Sequence, residues 1–179
     1  MVNSKNTDII ILARGGSKGI PKKNIKPFLG IPLVELSILQ AINSNHVRNI
    51  YLSSDCPEIL SKADKYKRVI QVKRPDYLAT DEAKSEDAVI HWLKNSIVTS
   101  LPDLVIMLEP TAPLRKPNDI DSAIEEFFKQ NVDSMFSGGF LEDFLIWKRD
   151  DENKLISVNY DYKIQGPRQM RQPDIVENG

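Results

Sequence analysis

The sequence predicts an α/β fold built on an open, mostly parallel sheet. Three observations carry that expectation. Short β-branched runs recur between turn residues, segments with apolar residues at helical spacing separate them, and the two kinds alternate through residue 130.

Residues 8–13 (DIIILA) are continuous enough in apolar character to be a strand buried on both faces. Residues 33–42 follow with helical periodicity. Residues 49–53 (NIYLS) read as a second strand. Residues 53–66 (SSDCPEILSKADKY) read as a turn into a helix, with Ser54 or Asp55 as N-cap and Pro57 in the first turn. Residues 69–72 make a third strand. In residues 85–97 (SEDAVIHWLKNSI), Ala88, Val89, Trp92 and Leu93 share one helical face, and Ser85 is a candidate cap. Residues 104–108 (LVIML) are another buried strand, followed by the turn EPTAPLR and the helix NDIDSAIEEFFKQ. From Ser137 the pattern changes to alternating aromatic, charged and turn residues. There DDEN is a hairpin turn between FLIWKR and KLISVNY. A hairpin carrying Phe144, Ile146, Trp147 and Ile156 needs a partner surface, either a second subunit or its own domain.

In open α/β sheets a ligand lies beyond the carboxyl ends of the strands, where strand order reverses. RGGSKG, SSD and EPTAPLR each follow an expected strand, so all three converge on one crevice.

A chain of 179 residues, 41% hydrophobic and 27% charged, suits one globular domain with a substantial core. The net charge of −1 argues against a general nucleic-acid binder. The cations are instead concentrated: Arg14, Lys18, Lys22, Lys23 and Lys26 sit within one loop, which suits a small polyanion. The single Cys56 excludes an internal disulfide framework and a cysteine zinc site, and reads as a small core or near-surface residue. No apolar run is long enough to span a bilayer, and MVNSKNTD is polar where a signal peptide needs an apolar region. A cytoplasmic location without a membrane partner is the expectation.

Gly15 and Gly16 let backbone amides approach an anion with no Cβ in the way, and Lys18, Lys22 and Lys23 supply charge. The Walker A pattern does not fit GGSKGIPKKN, and the dinucleotide G-x-G-x-x-G is absent. P-loop NTPases and dinucleotide dehydrogenases therefore lose support. On these residues alone the loop is either an anion cradle or a solvated basic loop.

ARGGSKGIPKKN closely resembles the signature loop of the acylneuraminate cytidylyltransferases, also called CMP-sialic acid synthetases. Their pattern A-R-x-x-S-K-x-x-x-x-K-N is matched by Ala13, Arg14, Ser17, Lys18, Lys23 and Asn24. Further matches follow in the family's order. SSD at 53–55 resembles the end of its second strand. RPDYLATDEAKSEDAVIH resembles its R-P-x-x-L-A-x-D segment, with Arg74, Pro75, Leu78, Ala79 and Asp81. EPTAPLR is similar to its Q-P-T-S-P-L-R, and PRQ at 167–169 and the final NG also fall in place.

The resemblance implies a three-layer, Rossmann-like fold of the nucleotide-diphospho-sugar transferase type with a protruding dimerisation hairpin. Residues 1–136 and 174–179 would form the nucleotide-binding core, and residues 137–173 a dimerisation and sugar-contacting subdomain. It implies transfer of CMP from CTP to the anomeric hydroxyl of a nine-carbon, sialic-type 2-keto sugar acid, with release of pyrophosphate and with Mg²⁺ as cofactor. Such a transfer asks the protein mainly to position reactants and neutralise charge. The residues implicated in catalysis are Arg14, Lys18 and Lys23. Ala13, Gly15, Gly16, Ser17, Asn24, Arg74, Asp81 and Ser85 would join them around the nucleotide. Glu109, Arg168 and Gln169 would meet the sugar, Arg168 from the neighbouring subunit of a homodimer.

Two departures bear on that expectation. The family has glutamine where this chain has Glu109. A carboxylate there repels a sugar carboxylate unless a cation or proton compensates. Binding Mg²⁺, reading a different sugar substituent, and a harmless exchange at the pocket edge all remain open. The family also continues past the position of Gly179 with a strand, a helix and the carboxylates that hold its metal. The metal ligands of this chain are therefore unassigned, and these 179 residues by themselves are expected to release little pyrophosphate.

Other residues have plainer readings. His91 is expected as a satisfied helix residue near Trp92. Asp119 and Asp121 suit a helix N-terminus. Phe144 and Trp147 suit an interface or core. Two other functions stay in view: a cytidylyltransferase for another acceptor, such as an eight-carbon ulosonic acid, and a CTP-binding module without activity. The loop favours the nine-carbon branch, but sialic, legionaminic and pseudaminic acids are not distinguished.

Overall fold

The computed structural model describes residues 6–95, 97–141, 145–164 and 174–177. The chain forms two compact units, Met1–Ser134 and Met135–Gly179.

The first unit opens with β1 (Thr7–Leu12), then a two-residue hairpin of β2 (Pro27–Phe28) and β3 (Ile31–Pro32), and α1 (Leu33–Ile42). β4 (Val47–Ser54), α2 (Pro57–Leu60), β5 (Val69–Lys73) and α3 (Ser85–Leu93) follow. β6 (Leu104–Leu108) and α4 (Asp119–Gln130) complete it. The four long strands form one parallel sheet in the order β5–β4–β1–β6. The chain thus builds outward from β1 on one side and then returns to its other side, so strand order reverses between β1 and β6.

The isoleucine run of β1 is what seats this sheet. Ile9 and Ile11 point to one face and pack with Val34, Ile38 and Ala41 of α1, Ile59 of α2, and Ile120 and Ile124 of α4. Ile10 points to the other face, where Tyr51, Val72 and Trp92 of α3 meet it. All three isoleucines are fully buried. At roughly 1.5–3 kcal/mol for each such side chain, this run is a main source of cohesion in the unit. Helices on both faces of a parallel sheet give the expected three layers.

Several boundaries differ from the sequence reading. The turn into a helix expected within 53–66 is there, but its helix is only the single turn of α2, continued by a 3₁₀ turn at Ser61–Ala63. Its N-cap is Cys56, whose amide donates to Ser54 Oγ at 3.1 Å. Neither Ser54 nor Asp55 caps it, because the Asp55 carboxylate is turned toward Gly15. α3 has Lys84 at its N-cap, and Ser85 is its first helical residue without a capping bond.

The amino-terminal edge of the sheet is closed by ions. Asp8 is fully buried and accepts two hydrogen bonds from Arg48, Nε to Oδ1 at 2.9 Å and Nη2 to Oδ2 at 2.7 Å. The amide and side chain of Asn49 also donate to it, and Arg48 reaches on to Ser100. On the helical face, Glu35 accepts from the Tyr66 hydroxyl at 2.6 Å and pairs with Lys65. Asp121 of α4 accepts from Ser44 and from the Asn45 amide, which ties α4 to the α1–β4 turn.

In the second unit, β7 (Gly138–Leu141) pairs antiparallel with β10 (Asp174–Glu177), and β8 (Trp147–Arg149) with β9 (Leu155–Ser157). The β8–β9 hairpin is the one expected around DDEN. Asp150 Oδ1 accepts from the amides of Glu152 and Lys154, and Asn153 adopts φ 64°. Trp147 packs edge-on against Tyr160 and tilted against Tyr162. The sequence reading divided the chain two residues later and grouped 174–179 with the core. Here 174–177 pairs with β7 inside the second unit. Among the described residues no helix is long and apolar enough to cross a membrane.

Candidate functional site

The carboxyl ends of the four parallel strands release four polar segments side by side. Ile11 pairs with Leu108, so Ala13 and Glu109 leave the sheet as neighbours. Leu12 pairs with Ser53, and Ser54 with Lys73, so the ends of β4 and β5 stand in the same row. This is the position at which open α/β sheets bind ligands.

The loop after β1 is tied to its neighbours atom by atom. The Ala13 amide donates to Ser53 O at 3.0 Å, and the Gly15 amide to Asp55 Oδ1 at 2.9 Å. The approach is so close that a Cβ on Gly15 would stand 2.8 Å from the Cys56 Cβ, inside van der Waals contact. Glycine is required there by space. No atom stands within 4 Å of the Cβ position of Gly16, which faces open space. The buried Asn24 donates from Nδ2 to Arg14 O at 2.9 Å, which sets the start of the loop against the turn Lys23–Ile25. Lys22, at φ 55°, pairs with Glu58 at 2.9 Å.

Arg74 comes directly after β5 and is 5% exposed. Its Nε and Nη2 donate to Ser53 Oγ and O at 3.1 and 3.0 Å, and its amide donates to Ser54 O at 2.8 Å. No carboxylate of the described residues lies within ion-pair distance of it. Burial pulls its guanidinium below the usual arginine range, with Asp55 acting upward and Arg14 downward. A buried, hydrogen-bonded cation without a paired anion is costly unless a ligand supplies the charge.

Arg14 donates from Nη1 to Thr80 O at 2.9 Å and pairs with Asp81 at 3.0 Å. Lys18 meets the other Asp81 oxygen at 2.5 Å. The Lys18 hydrogen bond, with that of Arg14, outweighs desolvation and holds the Asp81 carboxyl below the ordinary aspartate range. Lys23 makes no ion pair among the described residues. Ser85 stands at the start of α3, at the end of the same 74–85 segment.

After β6, the turn 109–115 is pinned by a residue whose role the sequence reading did not assign. Arg115 Nη2 donates to Glu109 O at 2.9 Å and Nη1 to Gln40 Oε1 at 3.2 Å, while Gln40 Nε2 donates to Pro113 O at 3.0 Å. Burial lowers the Arg115 guanidinium, and Glu109 and Asp119 act in the opposite direction. The Glu109 side chain accepts from Thr111 Oγ1 at 3.2 Å. Asp55 and Arg115 both lie inside motifs that the sequence displays, SSD and EPTAPLR, and their place next to strand ends was the available signal.

Some expectations fall elsewhere. Pro167, Arg168, Gln169, Phe144 and the final Asn178–Gly179 lie outside the described residues. His91 differs from its expected satisfied state: its Nδ1 is buried without a hydrogen-bond partner among the described residues, as is Trp92 Nε1. His91 lines a cavity of about 710 Å³ with Tyr77, Asp87, Ile90 and Lys94, on the outer side of α3. Among the described residues no group of three or more His, Cys, Asp or Glu side chains is placed to hold a metal ion.

Comparison with known proteins gives this arrangement its relatives. Residues 9–159 match the family described as cytidylyltransferase. The chain is 41% identical over 131 residues to a pseudaminic acid cytidylyltransferase of Campylobacter jejuni, covering 72% of this chain and 56% of that protein. It is 33% identical over 134 residues to N-acylneuraminate cytidylyltransferase A of Danio rerio, covering 75% and 30%. It is 36% identical over 117 residues to a CMP-N,N'-diacetyllegionaminic acid synthase of Legionella pneumophila, covering 65% and 50%. The chain thus spans between about a third and just over half the length of these curated relatives. Among solved structures, a 4-diphosphocytidyl-2C-methyl-D-erythritol synthase of Anaerococcus prevotii superposes with a TM-score of 0.63 at 14% identity, over 98% of this chain and 73% of that one. A CMP:2-keto-3-deoxy-manno-octonic acid synthetase complexed with CTP does so with a TM-score of 0.57 at 18% identity, over 70% and 48%. Both likenesses are of fold. With the family match spanning the sheet and every loop at its carboxyl edge, this chain belongs to the cytidylyltransferase family.

Proposed function

We propose that the protein transfers CMP from CTP to the anomeric hydroxyl of a nine-carbon, sialic-type 2-keto sugar acid, and that this chain supplies the nucleotide cradle. The observation that carries the reading is Arg74, a buried guanidinium with no paired carboxylate among the described residues, set near the cationic loop that leaves β1 at the strand-order reversal. The relatives that share 33–41% of matched residues are named for N-acylneuraminate, pseudaminic acid and diacetyllegionaminic acid, which supports a nonulosonic acceptor.

In this reading the sugar hydroxyl attacks the α-phosphorus and pyrophosphate leaves. Negative charge grows on the phosphoryl oxygens, where Arg14, Lys18 and Lys23 neutralise it and the loop amides donate to it. Ala13, Gly15, Gly16, Ser17, Asn24, Arg74 and Ser85 shape the nucleotide side. Glu109, with Arg115 fixing its carbonyl, stands toward the acceptor and accepts hydrogen bonds from a sugar substituent. Arg168 and Gln169 meet the sugar acid across a homodimer of the second unit, whose exposed Ile146, Trp147 and Ile156 need cover. Mg²⁺, a hard cation that prefers oxygen ligands, would supply further neutralisation of the triphosphate charge. The described side chains offer no cage for it, and no step here depends on one.

The test is product formation. The protein is incubated with CTP, Mg²⁺ and, separately, sialic, legionaminic, pseudaminic and eight-carbon ulosonic acids, and CMP-sugar is sought by mass. Only a small yield of product, and with one of the nine-carbon acids, is expected from these 179 residues. A product with the eight-carbon acid alone contradicts the acceptor, and CTP binding with no product from any acid contradicts the transfer.

A further inference from the structure

Two of the three cations that this reading gives to the triphosphate, Arg14 and Lys18, are already occupied. Asp81 spans them, one carboxylate oxygen 3.0 Å from Arg14 Nη1 and the other 2.5 Å from Lys18 Nζ. Its neighbour Thr80 offers its carbonyl to the same Arg14 nitrogen at 2.9 Å. A bidentate anion between an arginine and a lysine of a glycine loop is the geometry of a bound phosphate group. Asp81 and a phosphate carry the same sign and require the same donors, so the two cannot hold this cation pair together without strong repulsion.

We infer that Asp81 is an internal anion that fills the Arg14–Lys18 cradle in the free protein and is displaced when a polyphosphate binds. Its assignment as a nucleotide-binding residue is thereby sharpened: it competes with the nucleotide for the loop. The contact is built to yield. Lys18 is 80% exposed and Asp81 38% exposed, and exposed pairs of this kind contribute little. A triphosphate brings several charges and many acceptor oxygens against one carboxylate. Asp81 lies on the segment that runs from Arg74 to the first residue of α3, so its release frees the Thr80–Arg14 bond as well and loosens the stretch leading to Ser85. In the free protein the contact keeps the loop folded and its cations neutralised, which disfavours casual anions.

The inference rests on the loop holding phosphates, and the experiment separates the two claims. Inorganic tripolyphosphate is titrated into the unmodified chain, Asp81→Asn and Glu82→Gln by calorimetry at constant ionic strength. Glu82 is an exposed neighbour that takes no part in the cradle, so its variant removes the same charge without opening it. Asp81→Asn is expected to bind tripolyphosphate roughly tenfold tighter, from the loss of two weak ion pairs, and Glu82→Gln to bind like the parent. Equal or weaker binding by Asp81→Asn overturns the inference while leaving the loop as a phosphate site. Equal gains in both variants also overturn it, since general charge then explains the effect. Absence of binding in all three proteins overturns the phosphate reading itself. A second measurement covers a poorly folded variant. In the unmodified chain, the Asp81 carboxyl resonance followed by NMR titrates below the usual aspartate range and moves up toward it on saturation with tripolyphosphate. An unmoved titration contradicts displacement.

Discussion

The two ends of one sheet treat charge in opposite ways. At the amino-terminal edge, Asp8 is fully buried and answered by four hydrogen bonds, two of them from Arg48. At the carboxyl edge, among the described residues, the almost equally buried Arg74 guanidinium hydrogen-bonds only to the neutral oxygens of Ser53, with Asp55 acting on it from beyond ion-pair distance, and Lys23 makes no ion pair. A protein that only needed to be stable would close both ends alike. The difference separates an edge closed by its own charges from one that leaves cations without paired anions among the described residues, which supports the proposal that the second takes an anion from outside.

The largest effect comes from breaking the closed edge. Arg48→Ala leaves Asp8 buried without its guanidinium and is expected to cost about 3 kcal/mol of stability. Urea unfolding measures that loss, while CTP affinity per folded molecule stays as in the parent. A matching loss of affinity would show that the two edges are not independent.

Gly15→Ala tests the open edge where space is tightest. The added methyl meets the Cys56 Cβ at 2.8 Å and forces the loop off Asp55. A loss of about 1–3 kcal/mol is expected, as for overpacking elsewhere, together with weaker CTP binding. Adding Cys56→Gly removes the clashing atom and restores both. Failure of that rescue would place the defect in something other than contact.

Lys23→Ala separates function from folding. CTP affinity falls roughly tenfold, the scale of one charge-assisted hydrogen bond, while unfolding shifts by less than about 0.5 kcal/mol. The reverse pattern would make Lys23 a structural residue.

The smallest effect is on pH. Burial pushes the Glu35 carboxyl up, but the hydrogen bonds from Lys65 and Tyr66 outweigh it and hold it below the ordinary glutamate range. A carboxyl depressed in the folded state contributes stability above its unfolded pKa and loses it as pH falls through the folded pKa. Unfolding midpoints therefore decline on acidification below the ordinary glutamate range, and Glu35→Gln flattens part of that slope. An unchanged slope would mean that Glu35 has no share in it.

Much of this was legible in the sequence, and the exceptions have physical causes. All four sheet strands were visible as β-branched runs; β1, buried on both faces, leaves the continuous apolar signature, while the edge strands β5 and β6 are only partly buried and Met107 of β6 is exposed. The β2–β3 hairpin was not visible. Its turn places Leu29 at φ 51° and Gly30 at φ 84°, where an Asn-Gly pair is the usual signal, and its strands contain prolines. The turn into a helix expected in 53–66 is present, but its cap differs for a tertiary reason, since Asp55 is drawn to the Gly15 amide and the cap falls to Cys56. The cradle's composition was readable from ARGGSKGIPKKN, but the place of Asp81 was not. An ion pair across 63 or more positions depends on the fold that brings the segment after β5 past β4 to the loop after β1, which no local pattern encodes.

The central claim is that the open edge is a triphosphate cradle, and a calorimetric titration of this chain with CTP beside cytidine tests it most directly. The account predicts that CTP binds, that cytidine binds far more weakly, and that the difference shrinks as salt is raised. Equal binding of the two, or none by either, would contradict it.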